Sequence, residues 1–189
     1  YSMDVCIMRD GGMRHRKDQI MQVFDAIRTM LAVREYQDRP IPDGVVARIL
    51  EAARLTGSAR NRQGWDFVVV RDRATLRQLG ALASTGKYIA DAPLAIAVVV
   101  PENTTGYMDG SRAAQDMMLA AWAEGVGSNV VTSGNTPEIK ELLGVPRERM
   151  ILMLIPFGYP AGKVGAGRKN RKRLDEIAHA ERFGQPFGG

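Results

Sequence analysis

The chain has 189 residues, 45% of them hydrophobic and 25% charged, with 20 glycines and 9 prolines. That is one domain's worth of globular composition and excludes wholesale disorder, collagen-like and low-complexity classes. The net charge of +5 sits unevenly: residues 21–159 carry fifteen basic and fifteen acidic groups, whereas residues 160–189 carry seven basic and three acidic.

Residues 1–17 mix Gly, Met and charge without periodicity and read as a flexible leader. No charged-then-apolar signal opens them, so the expected setting is reducing and cytoplasmic. From Asp18, a candidate N-cap, residues Ile20, Val23, Phe24, Ile27, Met30 and Leu31 recur at helical spacing. Pro40 and Pro42 punctuate a loop. Asp43 then opens a second helix, with Val45, Val46, Ile49, Leu50 and Ala53 on one face. A polar loop spans 57–64, a strand 66–70, and Asp72 caps a helix carrying Leu76, Leu79 and Leu82. Residues 94–100, apolar and β-branched, read as a fully buried strand. Asp109 is the candidate cap of a long helix through Met117, Met118, Ala121 and Trp122. A short strand is expected over 129–132. Thr136-Pro137 starts a further helix that ends at Leu143-Gly144, and 150–157 forms the last strand. A terminal helix is expected near 174–180. The organisation is thus a core domain, 18–160, followed by a basic arm, 161–189. The arm has few apolar residues, and such a segment is expected to lie across a partner subunit.

The longest apolar runs fall far short of the roughly 20 residues that span a bilayer. One cysteine, Cys6, excludes an internal disulfide, and two distant histidines, His15 and His179, argue against a metal site. No P-loop, no G-x-G-x-x-G opening a helix and no G-x-S-x-G are present. Side-chain nucleophiles therefore give way to a bound cofactor as the source of any chemistry. The arm's Lys163, Arg168, Lys169, Arg171, Lys172 and Arg173 suit a localised anion such as a phosphate, or simply a solvated tail. A nucleic-acid binder would carry a basic face across the whole domain. The stretch from Thr56 to Trp65 gathers short hydrogen-bonding side chains beside an aromatic. It can read the polar edge of a planar heterocycle, or merely join helix to strand.

Taken with its surroundings, this stretch resembles the nitroreductase family of flavin mononucleotide (FMN) enzymes. The resemblance is carried by Arg34-Glu35-Tyr36, Ile41-Pro42, Arg48-Ile49-Leu50-Glu51-Ala52-Ala53 and the Ser58-to-Val70 segment with Asn61, Gln63 and Trp65. Ala92-Pro93, Glu141-Leu142-Leu143-Gly144, Phe157-Gly158-Tyr159-Pro160 and Gly167-Arg168-Lys169-Asn170-Arg171 follow in order. It implies an α+β fold: a three-layer α/β/α sandwich, its central, mostly antiparallel sheet flanked by helices, with a C-terminal arm wrapping the partner of a homodimer. The chain departs from the family at Met30 and Leu31, where an Arg is usual, at Ala32 for Ser, and at Gly57 and Gly64 for Pro. A cation and a hydroxyl are thereby removed and the loop is loosened, so FMN binding weaker than the family norm is expected.

The resemblance also implies roles. FMN would sit between two subunits, with Arg34 at the N1/C2=O edge stabilising the reduced ring. Ser58, Arg60 and Asn61 would reach the ring from the other subunit, with Gln63 and Trp65 bracing their loop. Lys169 and Arg171 would contact the phosphate, Arg28 compensating for the missing Arg. A backbone N–H of Thr132, Ser133 or Gly134 would face N5, and Lys87-Tyr88 would line the pyrimidine edge. No side chain acts as acid or base and no metal is involved. The implied activity passes hydride from NADH or NADPH through N5 to a nitroaromatic, quinone or similar acceptor by a ping-pong cycle. Two other classes stand beside it: a non-catalytic flavin or phosphate-ligand binding protein, and nucleic-acid association through the tail.

Overall fold

Residues 94–100 are apolar on both sides because the strand they form has no solvent-facing side. In the computed structural model, which describes residues 21–162 and 169–187, β2 (Leu94–Pro101) lies between β1 (Asp66–Val70) and β4 (Arg149–Gly158). The short β3 (Gly127–Ser128) borders β4, giving the order β1-β2-β4-β3 with every pairing antiparallel. Leu94, Ile96, Val98 and Val100 pack toward α2 (Asp43–Arg54) and α4 (Thr104–Ala123). Ala95, Ala97 and Val99 pack toward α3 (Arg73–Leu82), α5 (Pro137–Leu143) and the tight turn Lys87–Asp91. Two cores on opposite faces of one sheet make the three-layer α/β/α sandwich that the sequence led us to expect.

β4 serves both cores through a bulge. Val98 pairs with Met153 but Val99 pairs with Ile151, so Leu152 is the extra residue. Met153, Ile155 and Phe157 therefore join the first core, while Ile151 moves to the second beside Leu154.

The long helix starts earlier than Asp109. Asn103 is its cap, its side chain accepting from Gly106 N at 2.8 Å. Asp109 lies inside the helix and is buried. A segment holding Gly106 and Gly110 reads as a poor helix former, but close packing overrides propensity here. A Cβ at Gly106 would stand 2.1 Å from the Pro101 carbonyl oxygen, and one at Gly110 would stand 2.7 Å from Val100 Cγ1. Glycine lets α4 lie directly on the sheet.

The other caps follow the sequence. Asp72 accepts from Thr75 N at 2.8 Å, Thr136 accepts from Ile139 N, and Gly144 ends α5 in the left-handed region at φ 65°. The expected strand at 129–132 reduces to β3 just upstream and a single bridge, Val131 to Leu154. The expected helix at 174–180 reduces to one turn, Leu174–Glu176, consistent with its exposure. The first helix, α1, runs Val23–Thr29; Asp18 and the 1–17 leader lie outside the described residues.

Candidate functional site

After α1 the chain runs extended and is held on two sides. Val33 N donates to Ser128 O at 3.0 Å, Gln37 N to Tyr159 O at 2.8 Å, and Ala161 N to Glu35 O at 3.0 Å. Val33 is buried, and its neighbour Arg34 turns outward. The Arg34 guanidinium stands over the Tyr88 ring, 5.9 Å from its centroid. It lines a cleft of about 390 Å³ with Glu35, Tyr36, Asp38, Arg73 and Asp91. Arg73 is engaged with Asp38 at 2.6 Å. Among the described residues no carboxylate lies within salt-bridge distance of Arg34. Tyr88 in turn accepts a hydrogen bond at its hydroxyl from Asn129 Nδ2. Tyr36 donates to Val33 O at 2.7 Å. Burial, reinforced by Tyr88, pushes its phenol well above the ordinary tyrosine range, so it stays neutral.

The turn at 132–134 joins this end of the molecule. Val131 anchors it on Leu154, Thr132 is exposed, and Ser133 Oγ lies 3.0 Å from Thr85 Oγ1. Gly134 is buried where a Cβ would fall 2.8 Å from Leu154 Cγ. Asn129 and Thr85 escaped the sequence reading. Asn129 follows a two-residue strand too short to show a pattern, and Thr85 carries no local signal.

Residues Ser58, Arg60 and Asn61 belong to the opposite end. Ser58 Oγ accepts from Gln63 N at 2.9 Å, and Gln63 Nε2 donates to Asn61 Oδ1 at 3.2 Å. Arg60 and Asn61 are exposed, while Trp65 is buried in the first core. The loop leads into Asp66, which pairs with Val99, whereas Arg34 neighbours Ser128, whose partner Phe157 pairs with Leu94. Most of β2, roughly 17 Å at about 3.3 Å per residue, separates the strand positions beside the two groups. Within one chain the structure does not bring them together.

Two of the basic groups, Lys169 and Arg28, meet on α1. Lys169 Nζ donates to Ile27 O in its last turn, beside Arg28 in the chain, and Arg28 pairs with Asp25 at 3.0 Å. Arg171 bonds only its neighbour, donating to Asn170 O at 2.9 Å among the described residues. Lys163 and Arg168 lie outside the described residues. Apolar side chains also face outward on both segments: Val23, Phe24 and Ile27 on α1, and Leu174, Ile177, Phe187 and the 94% exposed Phe183 on the arm. Among the described residues no three His, Cys, Asp or Glu side chains gather as a metal site, and no helix is long and apolar enough to cross a membrane. The Arg34 cleft thus offers a cation beside the Tyr88 ring, in a wall that also holds Glu35, Asp38 and Asp91; such a cation suits a flat polar ring that gains negative charge.

Comparisons with known proteins agree with this fold. The model of the nitroreductase family matches residues 27–103 and 89–159. The chain is 35% identical to a Methanothermobacter thermautotrophicus protein provisionally named NADH dehydrogenase/NAD(P)H nitroreductase, over 77% of this chain and 81% of that one. Its fold matches the crystal structure of a protein from Bacteroides thetaiotaomicron with the same provisional name, at TM-score 0.77 and 28% identity, covering 85% of this chain and 98% of that one. It also matches an FMN-dependent nitroreductase from Clostridium difficile, at TM-score 0.73 and 25% identity, covering 84% and 98%.

Proposed function

The chain belongs to the nitroreductase family, and from that premise we propose that it is an FMN-dependent oxidoreductase. It takes hydride from NADH or NADPH and delivers it to an electron-poor small molecule such as a nitroaromatic or quinone. The names of its relatives support both parts: one carries NAD(P)H in its name and another is FMN-dependent. The observation that carries the reading is Arg34, a cation in an open cleft with no carboxylate in salt-bridge range among the described residues.

The residues present fit FMN. Arg34 would hold the N1/C2=O edge, with Tyr88 beneath its guanidinium, and the 132–134 turn would supply a backbone N–H to N5. Lys169, Arg171 and Arg28 would hold the phosphate. The chemistry such a cofactor supplies when bound is hydride uptake from the nicotinamide and hydride release to the acceptor, in two half-reactions that use the same place in turn. The protein's part is positioning and charge: the Arg34 guanidinium favours the reduced, anionic state at the edge where charge collects.

The proposed site is shared by two copies. Ser58, Arg60 and Asn61 are too far from Arg34 to meet one ring within a chain, so a second copy supplies them. The outward apolar residues of α1 and of the arm provide a surface for that partner. The test is to titrate the protein with FMN and follow its melting temperature. NADH and NADPH oxidation is then assayed with a nitroaromatic or a quinone. A flavin-dependent rise in melting temperature and turnover are expected. Neither occurring would reject the reading, and binding without turnover would favour a non-catalytic flavin protein.

A further inference from the structure

The loop 57–64 holds an expensive conformation at two residues unsuited to it, Arg60 and Gln63. Arg60, Asn61 and Gln63 have φ of 55°, 53° and 49°. Asn visits this left-handed region through local hydrogen bonds, but Arg and Gln occupy it only where their surroundings impose it. The loop's ends are Gly57 and Gly64, which contribute flexibility rather than stiffness.

The constraint comes from charged side chains on α4 and β4. Asp109, Arg112 and Asp116 form one stripe of α4 at helical spacing. Asp116 accepts from Thr56 Oγ1 just before the loop. The Arg112 guanidinium lies against Gly57, 3.0 Å from where a Cβ would stand. The buried Asp109 carboxylate accepts from Ala59 N at 3.0 Å. At the far end, Arg149 donates to Gly64 O at 2.7 Å and to Asp66 Oδ2 at 2.6 Å. The stripe itself is fixed, because Gly106 and Gly110 press α4 onto the sheet. A carboxylate inside a fold is costly to desolvate, so Asp109 is a poor choice for packing alone. Its partner is the N–H of the peptide that joins Ser58 to Ala59, and pinning that peptide sets the direction in which the chain leaves Ser58 and enters the turn that carries Arg60.

We infer that Asp109 is a positioning residue of the shared site: through the Ala59 amide it holds Ser58, Arg60 and Asn61 ready for a flavin bound by the other copy. This rests on the functional reading above. Asp109 stiffens the loop where Gly57 and Gly64 cannot, so affinity for FMN depends on a side chain remote from the ring.

The unsubstituted protein, Asp109→Ala and Asp109→Asn are titrated with FMN by fluorescence, and hydrogen exchange is followed in residues 57–63. Asn keeps an acceptor oxygen in the same place. Asp109→Ala should raise the FMN Kd roughly ten-fold and speed loop exchange. Asp109→Asn should recover most of the affinity. Should Asp109→Ala fail to fold, Ala59→Pro removes the donor instead. It sits at the start of a tight turn after extended Ser58, where proline's fixed φ is tolerated. It should weaken FMN by a similar factor. Equal affinities across the folded variants would overturn the positioning role while leaving the flavin reading intact. Absence of saturable FMN binding by the unsubstituted protein would overturn the flavin reading and the role with it. In that case loop exchange decides separately whether Asp109 constrains the loop at all.

Discussion

The two ends of β2 are built by different means. At the Pro101 end, charged side chains turn inward: Asp109, Asp116 and Arg149 are spent on the backbone and hydroxyl of residues 56–64. At the Leu94 end the holding is done by backbone pairing of residues 33–37 with Ser128, Tyr159 and Ala161, which leaves the Arg34 side chain to face the cleft. The difference suits the proposed division of labour. Side chains offered across an interface lose affinity if they must first be ordered, so the offering end is stiffened beforehand. The receiving end needs an uncommitted cation, because a carboxylate partner would cancel the charge the ring requires.

Breaking one end and then the other sharpens this contrast. Gly106→Ala drives a Cβ into the Pro101 carbonyl and should cost roughly 3 kcal/mol in denaturant unfolding. Hydrogen exchange should then rise in residues 57–63 while the amides of 33–37 stay protected. Equal loss at both ends would show that the braces are not independent. Arg34→Ala should leave unfolding nearly unchanged yet lower kcat/KM for a nitroaromatic about 100-fold, roughly 2.7 kcal/mol of transition-state stabilisation. A loss of activity that merely tracks melting temperature would count against a role at the ring. Co-assembling Arg34→Ala with Asn61→Ala tests which copy supplies which end. Random mixing makes about half the dimers mixed, each with one intact site, so activity should return to about a quarter of the unsubstituted level. If both residues serve one ring from the same chain, no activity returns.

The smallest effect concerns Tyr36, behind Arg34. Its phenol is held above the ordinary value near 10 by burial. The folded protein therefore keeps it neutral where the unfolded chain ionises. That stability is complete below about pH 10 and is lost as pH rises beyond it. Tyr36→Phe should lose less melting temperature between pH 10 and 11 than the unsubstituted protein. At pH 7 it should be about 1 kcal/mol less stable, for the bond to Val33 O. An identical alkaline decline in both proteins would show that Tyr36 is not the group responsible.

Much of the layering was legible because its signals are local. A run apolar on both faces announced β2, and Asp72, Thr136 and Gly144 each sit where a helix must satisfy or end its own hydrogen bonds. Asp109 was misread for the same reason: an acidic residue before an apolar stretch looks like a cap, and Asn103 six positions earlier is the one whose oxygen reaches a free amide. In the site, Arg34 and the 58–61 loop could be named from ordered motifs, whereas Asn129, Thr85, Arg112 and Arg149 could not. Their partners lie dozens of residues away in the chain.

The sequence by itself determined which segments become strands and helices, where most of them stop, and which side chains are chemically suited to a flavin. These follow from periodicity, capping and residue type, each set within a few positions. Tertiary structure alone decided that Arg34 and Asn61 stand at opposite ends of one sheet, and that a carboxylate on α4 grips the loop that carries Asn61. Such relations depend on strand register and on how closely a glycine-bearing helix approaches the sheet, and those are fixed only when distant segments pack.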